Sequence, residues 1–277
     1  MAKYALDGRV VLITGGARGI GLDAATRLLA KGASIALVDR DEVELANAAK
    51  QLDNRERVAV FAADVTNAAA VQTAVDDAVA HFGGLDVVIA GAGISGKPAA
   101  FSSLSATDFK RVININVIGV YHTIRAALPY VTERQGYILP IASVAALIPT
   151  PFLVAYSASK HAVDGMARSL RLELAHTGVS VGVAYFSFID TDMVKTAKAT
   201  PVGSAALSIL PDFLSKPIPV SEAGNAIVRG IEKRARWVYA PKWVPGLITL
   251  RGLSSRFEDL ATRSPKFAAL LREPPKK

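Results

Sequence analysis

Apolar runs and helical patterns alternate along the chain from its first residues. Val10–Thr14, Ser34–Val38, Val58–Ala62 and Val87–Ala90 are rich in Val, Ile and Ala, as expected of parallel strands buried on both faces. Between them, Ala24–Lys31, Glu42–Leu52 and Ala68–His81 have helix-favouring composition, with a Gly at or near several ends. Later strands are predicted at Tyr137–Ala142 and Ser180–Phe186, and long helices over about 107–131 and 155–176. This rhythm predicts an α/β fold with a doubly wound parallel sheet. There is no internal repeat and no low-complexity block.

Bulk composition narrows the picture in three ways. A chain of 277 residues, 51% hydrophobic with mean hydropathy +0.31, can bury a large single-domain core. The absence of cysteine excludes disulfides, thiolate nucleophiles and Cys-ligated metals. The N-terminal stretch lacks the long apolar segment of a signal peptide, and no run approaches a membrane span, so a cytoplasmic protein is expected. The net charge of +8 is local: residues 229–277 carry 12 basic and 4 acidic side chains, against 20 of each in residues 1–228. A basic tail beside a neutral body is no nucleic-acid footprint, and no binding motif or set of interleaved stacking aromatics accompanies it.

Two motifs carry candidate chemistry. Thr-Gly-Gly-Ala-Arg-Gly-Ile-Gly at 14–21 follows the first strand, so Gly15, Gly19, Ile20 and Gly21 lie on a strand-to-helix turn. Glycines there allow a tight turn and close approach of the backbone to a pyrophosphate, which the helix N-terminus attracts. Asp39, eighteen residues past Gly21 at the end of the second strand, can accept hydrogen bonds from adenosine ribose hydroxyls and repels a 2′-phosphate. It therefore favours NAD, whereas Arg18 and Arg40 are the basic residues that could favour NADP. The second motif is Tyr-Ser-Ala-Ser-Lys at 156–160: Tyr156 and Lys160 share one helix face, where the lysine charge is expected to lower the tyrosine pKa. None of the four histidines, His81, His122, His161 and His176, has metal-ligand spacing, and no Gly-x-Ser-x-Gly elbow exists, so neither a metal site nor a hydrolase is expected.

With Ser143 thirteen residues before Tyr156, and Asn116 in Asn-Val-Ile-Gly, the joint pattern resembles the short-chain dehydrogenase/reductase family over residues 7 to about 235. The resemblance implies a Rossmann-type domain over 1–235, with a substrate lid at 192–220 and an extension at 236–277. It implies Tyr156 as acid/base, Lys160 holding the nicotinamide ribose, Ser143 on the substrate oxygen, and Asn116 kinking its helix and fixing a proton-relay water. Asp64 and Val65 would border the adenine, Gly91 and Ala92 would touch the cofactor through their backbone, and Ile189 and Thr191 would lie at the nicotinamide. Two segments depart from the family pattern: Ala-Gly-Ala-Gly at 90–93 replaces Asn-Asn-Ala-Gly, and Phe186-Ser187 replaces Pro-Gly.

The substrate expectation rests on apolar residues. Met193, Val194, Val202, Ala205, Ala206, Leu207, Ile209, Leu210, Phe213 and Leu214 in the lid, with Leu147, Ile148, Pro149 and Phe152, suggest a hydrophobic secondary alcohol or ketone of steroid, retinoid or lipid type. Alternatives are an NADPH-dependent 3-oxoacyl reductase and a non-catalytic cofactor-sensing protein. The family implies a homotetramer or homodimer built through the two long helices. Trp243, Leu247, Ile248, Leu250 and Leu253 leave three roles open: an interfacial helix on anionic lipid, closure of the pocket, or packing on a neighbouring subunit.

Overall fold

The computed structural model describes residues 3–148, 150–208 and 215–253. Strands β1 (Val10–Thr14), β2 (Ser34–Asp39), β3 (Val58–Ala62), β4 (Val87–Ala90), β5 (Tyr137–Pro140) and β6 (Ser180–Val181) form a parallel sheet in the order β3-β2-β1-β4-β5-β6. Gly182 lies between β6 and the next strand, where a side chain would collide with the Tyr137 phenol. The strand resumes as β7 (Val183–Phe186), parallel to β8 (Trp237–Ala240), and an Ile141–Ala184 bridge joins it to the end of β5. Along β1, Val10 and Leu12 face one core while Val11 and Ile13 face the other. That two-sided burial is why β1, β2 and β4 read as unbroken apolar runs; β3 departs from the expectation, since at the sheet edge its burial alternates and Val60 is exposed.

Helices α1 (Gly19–Leu29), α2 (Glu42–Leu52) and α3 (Ala68–Phe82) link the first four strands. Helix α1 begins five residues earlier than its composition predicts, because the glycine turn itself forms its first turn. The long helix expected near 107–131 is divided. Helix α4 (Ala106–Ile113) passes into a π-turn over Asn114–Ile118, and α5 (Gly119–Glu133) follows. Helix α6 (Val154–Glu173) runs beside them and stops three residues short of the expected end. β2 and β4 flank β1 on opposite sides, so the chain reverses direction of winding there and leaves a crevice at the strand C-termini.

Past β7 come α7 (Asp192–Lys198), α8 (Pro201–Ser208), α9 (Val220–Glu232) and α10 (Val244–Leu250). Val244 and Ile248 of α10 are buried, and Trp243 and Leu247 pack on the same core. Of the apolar residues whose role the sequence left open, Trp243, Leu247 and Ile248 thus pack on the protein's own body, while Leu250 stays half exposed. No helix among the described residues is long and apolar enough to cross a membrane. Pro149, Ile209, Leu210, Phe213, Leu214 and the segment 254–277 lie outside the described residues.

Candidate active site

The glycine turn is as tight as backbone permits. Gly15 takes a positive φ of 69°, and a Cβ on it would stand 2.8 Å from the Ala92 Cα at the end of β4. A Cβ on Gly21 would collide with the Gly15 carbonyl. Helix α1 has no acidic residue in its first turn and no side-chain cap, so its first N–H groups are left for an anion. Gly91 N–H donates to the Thr14 hydroxyl at 3.2 Å, which fixes β4 to β1 where the family's asparagine is missing.

Asp39 ends β2 and ties it to this turn. One carboxylate oxygen accepts the Arg40 N–H at 2.8 Å and the Asp41 N–H at 3.3 Å, and the other accepts the Ala17 N–H at 3.4 Å. Arg18 lies 3.6 Å from the Asp41 carboxylate, and Arg40 is near enough to Asp64 to help hold its carboxyl below the usual range. The main cause of that depression is the Thr66 backbone N–H on Asp64, whose side chain folds into its own turn. Val65 is buried, with its carbonyl 2.9 Å from His122 Nδ1. On the far side of the crevice Ile189 is buried, and a Cβ on Gly19 would sit 3.5 Å from the Thr191 methyl. The crevice at the ends of β1, β2 and β4 therefore fits a dinucleotide: a tight backbone cradle, an uncapped helix start and a carboxylate at the end of β2.

Asn116 lies in the π-turn and is fully buried. Its Oδ1 accepts the Ile94 N–H at 2.8 Å, while its Nδ2 donates to the Ile94 carbonyl at 2.9 Å and to the Ser159 hydroxyl at 3.0 Å. Ser159 in turn donates to the Tyr156 carbonyl at 2.7 Å, so Asn116 is bolted to the helix bearing Tyr156 and Lys160. The expected helix distortion is present at Asn116, and its physical form is the extra residue of a π-turn. Sequence reasoning passed over Ser159 although it stands inside the Tyr-Ser-Ala-Ser-Lys motif. The carbonyls of Ile94, Ile141 and Phe186 are the other missed partners, and a carbonyl leaves no trace in residue identity.

Ser143 caps a short 3₁₀ turn, accepting the Ala145 N–H at 3.1 Å and donating to the Phe186 carbonyl at 3.3 Å. Lys160 Nζ donates to the Ile141 carbonyl at 2.8 Å and lies 5.5 Å from the Tyr156 ring centre. Electrostatics here differ from the sequence expectation. Burial raises the Tyr156 pKa above its ordinary value, and a hydrogen bond with Ser143 only partly pulls it back. Burial also lowers Lys160, to about 8. Desolvation favours the neutral form of both groups, and the lysine charge is not among the causes that set the tyrosine shift.

Beside Tyr156 opens a small cavity lined by Ser95, Gly96, Leu104, Val112, Phe152 and Leu153, with Lys97 and Asp108 at its rim. Six of its eleven lining residues come from 95–112 after β4, which the sequence reading did not single out as part of the site. Leu147 is buried in the core and Ile148 packs against it, so among the described entrance residues Phe152 is the one that reaches this cavity. Phe152 holds a positive φ of 64°, unusual for a bulky side chain, and its carbonyl accepts the Ala99 N–H at 2.8 Å.

Comparison with known proteins gives a consistent result. The family model described as short chain dehydrogenase matches residues 9–201. The chain is 38% identical over 205 residues to (-)-trans-carveol dehydrogenase of Rhodococcus erythropolis, covering 69% of this chain and 74% of the relative. It is 31% identical over 257 residues to 11-beta-hydroxysteroid dehydrogenase-like 2 of Arabidopsis thaliana, covering 92% and 80%. A short chain dehydrogenase/reductase from Burkholderia phymatum, solved in complex with NAD, superposes with a TM-score of 0.79 at 25% identity over 99% of both chains.

Proposed function

The chain belongs to the short-chain dehydrogenase/reductase family of oxidoreductases, and we propose that it interconverts a hydrophobic secondary alcohol and its ketone, using NAD. A nicotinamide dinucleotide, when bound, supplies or accepts the hydride. The residues of the chain bind, orient and move the proton. The observation that carries the reading is the convergence of Ser143, Tyr156, Lys160 and Asn116 at the end of the crevice that fits a dinucleotide.

Tyr156 is the acid/base. Its phenol is held protonated by burial, so it is set to donate to a ketone oxygen, and the Ser143 hydroxyl beside it is placed to bind the same oxygen. Lys160, lowered to about 8, can release its proton near neutral pH and lies 5.5 Å from the centre of the phenol ring. A Cβ placed on Gly93 would lie 3.2 Å from Asn116 Oδ1 and 3.7 Å from Lys160 Nζ, so the Ala-Gly-Ala-Gly segment brings the cofactor crevice against this pair.

The preference for NAD is supported by Asp39 and by the fact that Arg18 faces Asp41 and Arg40 acts on Asp64. The hydrophobic substrate is supported by Leu104, Val112, Phe152 and Leu153 around Tyr156, and by relatives named for carveol and a hydroxysteroid. Assembly through α5 and α6 belongs to the same reading, supported by exposed Tyr121 and Leu172 on those helices.

The test is fluorescence titration with NADH and NADPH, followed by NAD-dependent oxidation of carveol and a panel of cyclic secondary alcohols. Tighter NADH binding with turnover of an apolar alcohol is the expected result. Tighter NADPH binding, or turnover confined to charged substrates, overturns it.

A further inference from the structure

Asp164 is a carboxylate only 6% exposed, one helical turn past Lys160 and two past Tyr156 on α6. An ionised acid is stable there only with partners. They come from three places. Tyr185 of β7, itself buried, donates its hydroxyl to one oxygen. Arg251, which follows α10, donates to the other at 3.2 Å. Arg168, one turn along α6, lies farther away at 3.7 Å.

The position of this cluster matters more than its energy. Tyr185 precedes Phe186, whose carbonyl accepts the Ser143 hydroxyl. Asp164 shares a helix with Tyr156 and Lys160. Val244 and Ile248 of α10 belong to the same core as Tyr185 and Val163, so the segment carrying Arg251 is seated by apolar contact as well as by charge. A buried ion pair adds little net stability compared with apolar residues of the same volume, but it admits only one arrangement of its partners. Arg251 also lies beyond residues 9–201, the span that matches the family model.

We infer that Arg251 and Asp164 are positioning residues: Asp164 ties α6 to β7 through Tyr185, and Arg251 of the C-terminal segment holds that carboxylate in place, which sets the placement of Tyr156, Lys160 and Ser143. This rests on the reading of those three as the working set.

The test compares the full-length protein with Arg251→Met, Arg251→Lys and Tyr185→Phe. In Arg251→Met, hydrogen–deuterium exchange should rise about tenfold in peptides covering 154–164 and 183–187 and stay unchanged in α2 and α3. NADH, which reaches the Lys160 side of the crevice, should bind about fivefold more weakly, while ADP, which does not, should bind as before. Arg251→Lys should restore most of both effects, and Tyr185→Phe, which removes the tie between β7 and α6, should loosen 154–164 as well as 183–187. Unchanged exchange in 154–164, or exchange raised equally throughout the chain, overturns the proposal. Failure of the wild-type protein to bind NADH would instead count against the cofactor reading, and the exchange measurement would still decide the positioning role.

Discussion

Lys160 Nζ stands 5.5 Å from the centre of the Tyr156 ring, yet its hydrogen bond goes to the Ile141 carbonyl at 2.8 Å. The pair is adjacent but not joined, and burial pushes each toward its neutral form. Whatever brings the lysine charge to bear on the phenolic oxygen must act against that desolvation. The prepared state of the site is therefore a protonated tyrosine beside a lysine that is easily discharged.

Tyr156→Phe removes only the group that carries the proton. Turnover should fall by about 10²–10⁴-fold, with NADH affinity changed by less than about threefold in fluorescence titration. Near-normal turnover by this variant would remove Tyr156 from the mechanism.

The readable parts of this site and the unreadable ones differ in kind. Gly15, Gly21, Asp39, Asn116 and Tyr156 were legible because each has a side chain, or lacks one, for a reason tied to its spacing. Strands β1, β2 and β4 were legible because both faces of the sheet are apolar there, whereas β3 at the edge buries only part of its apolar run. The π-turn was foreshadowed only through the family resemblance of Asn116, since an extra residue in a helix has no compositional mark. The direction of the Tyr156 shift was misjudged because spacing reports proximity to Lys160 but not the depth of burial, which only the packed structure supplies. The fate of Trp243 and Ile248 was open for the same reason: apolar residues beside basic ones do not say which surface they cover.

Lys160 should cost the fold stability at neutral pH. Its pKa drops from 10.5 to about 8 on folding, so below pH 8 the folded protein keeps an unfavourable buried charge. Between about pH 8 and 10.5 the unfolded chain binds the proton that the folded chain has released, and stability rises with pH by up to about 3 kcal/mol. Lys160→Met should lack that rise. At pH 7 it should be more stable than the wild type by about 1–2 kcal/mol, after about 1 kcal/mol is lost with the bond to Ile141. Urea denaturation at pH 7 and pH 10 checks this, and equal destabilisation at both would contradict the burial argument.

Asp39→Ala should exchange one property for another. The variant loses a carboxylate that accepts three backbone N–H groups, costing about 1–2 kcal/mol of stability. NADH should bind about tenfold more weakly, and NADPH should bind more tightly than it does to the wild type because the repulsion toward a 2′-phosphate is gone. Parallel titrations with both nucleotides read the change. A loss common to both, in a protein of unchanged melting behaviour, would mean that Asp39 does not select.

Two glycine substitutions separate close packing from simple helix propensity. Gly21→Ala sets a Cβ against the Gly15 carbonyl and 2.9 Å from the Gly16 Cα, and backbone on both sides cannot yield without opening the turn. A loss of about 1–3 kcal/mol is expected, together with NADH affinity reduced by at least about tenfold. Gly165 also lies in a helix, but nothing stands within 4 Å of a Cβ built there. Gly165→Ala should stabilise the protein by about 0.5–1 kcal/mol with NADH binding unchanged. Thermal unfolding and NADH titration of the two variants side by side give the comparison. If Gly21→Ala binds NADH as well as Gly165→Ala does, the turn is not the pyrophosphate cradle.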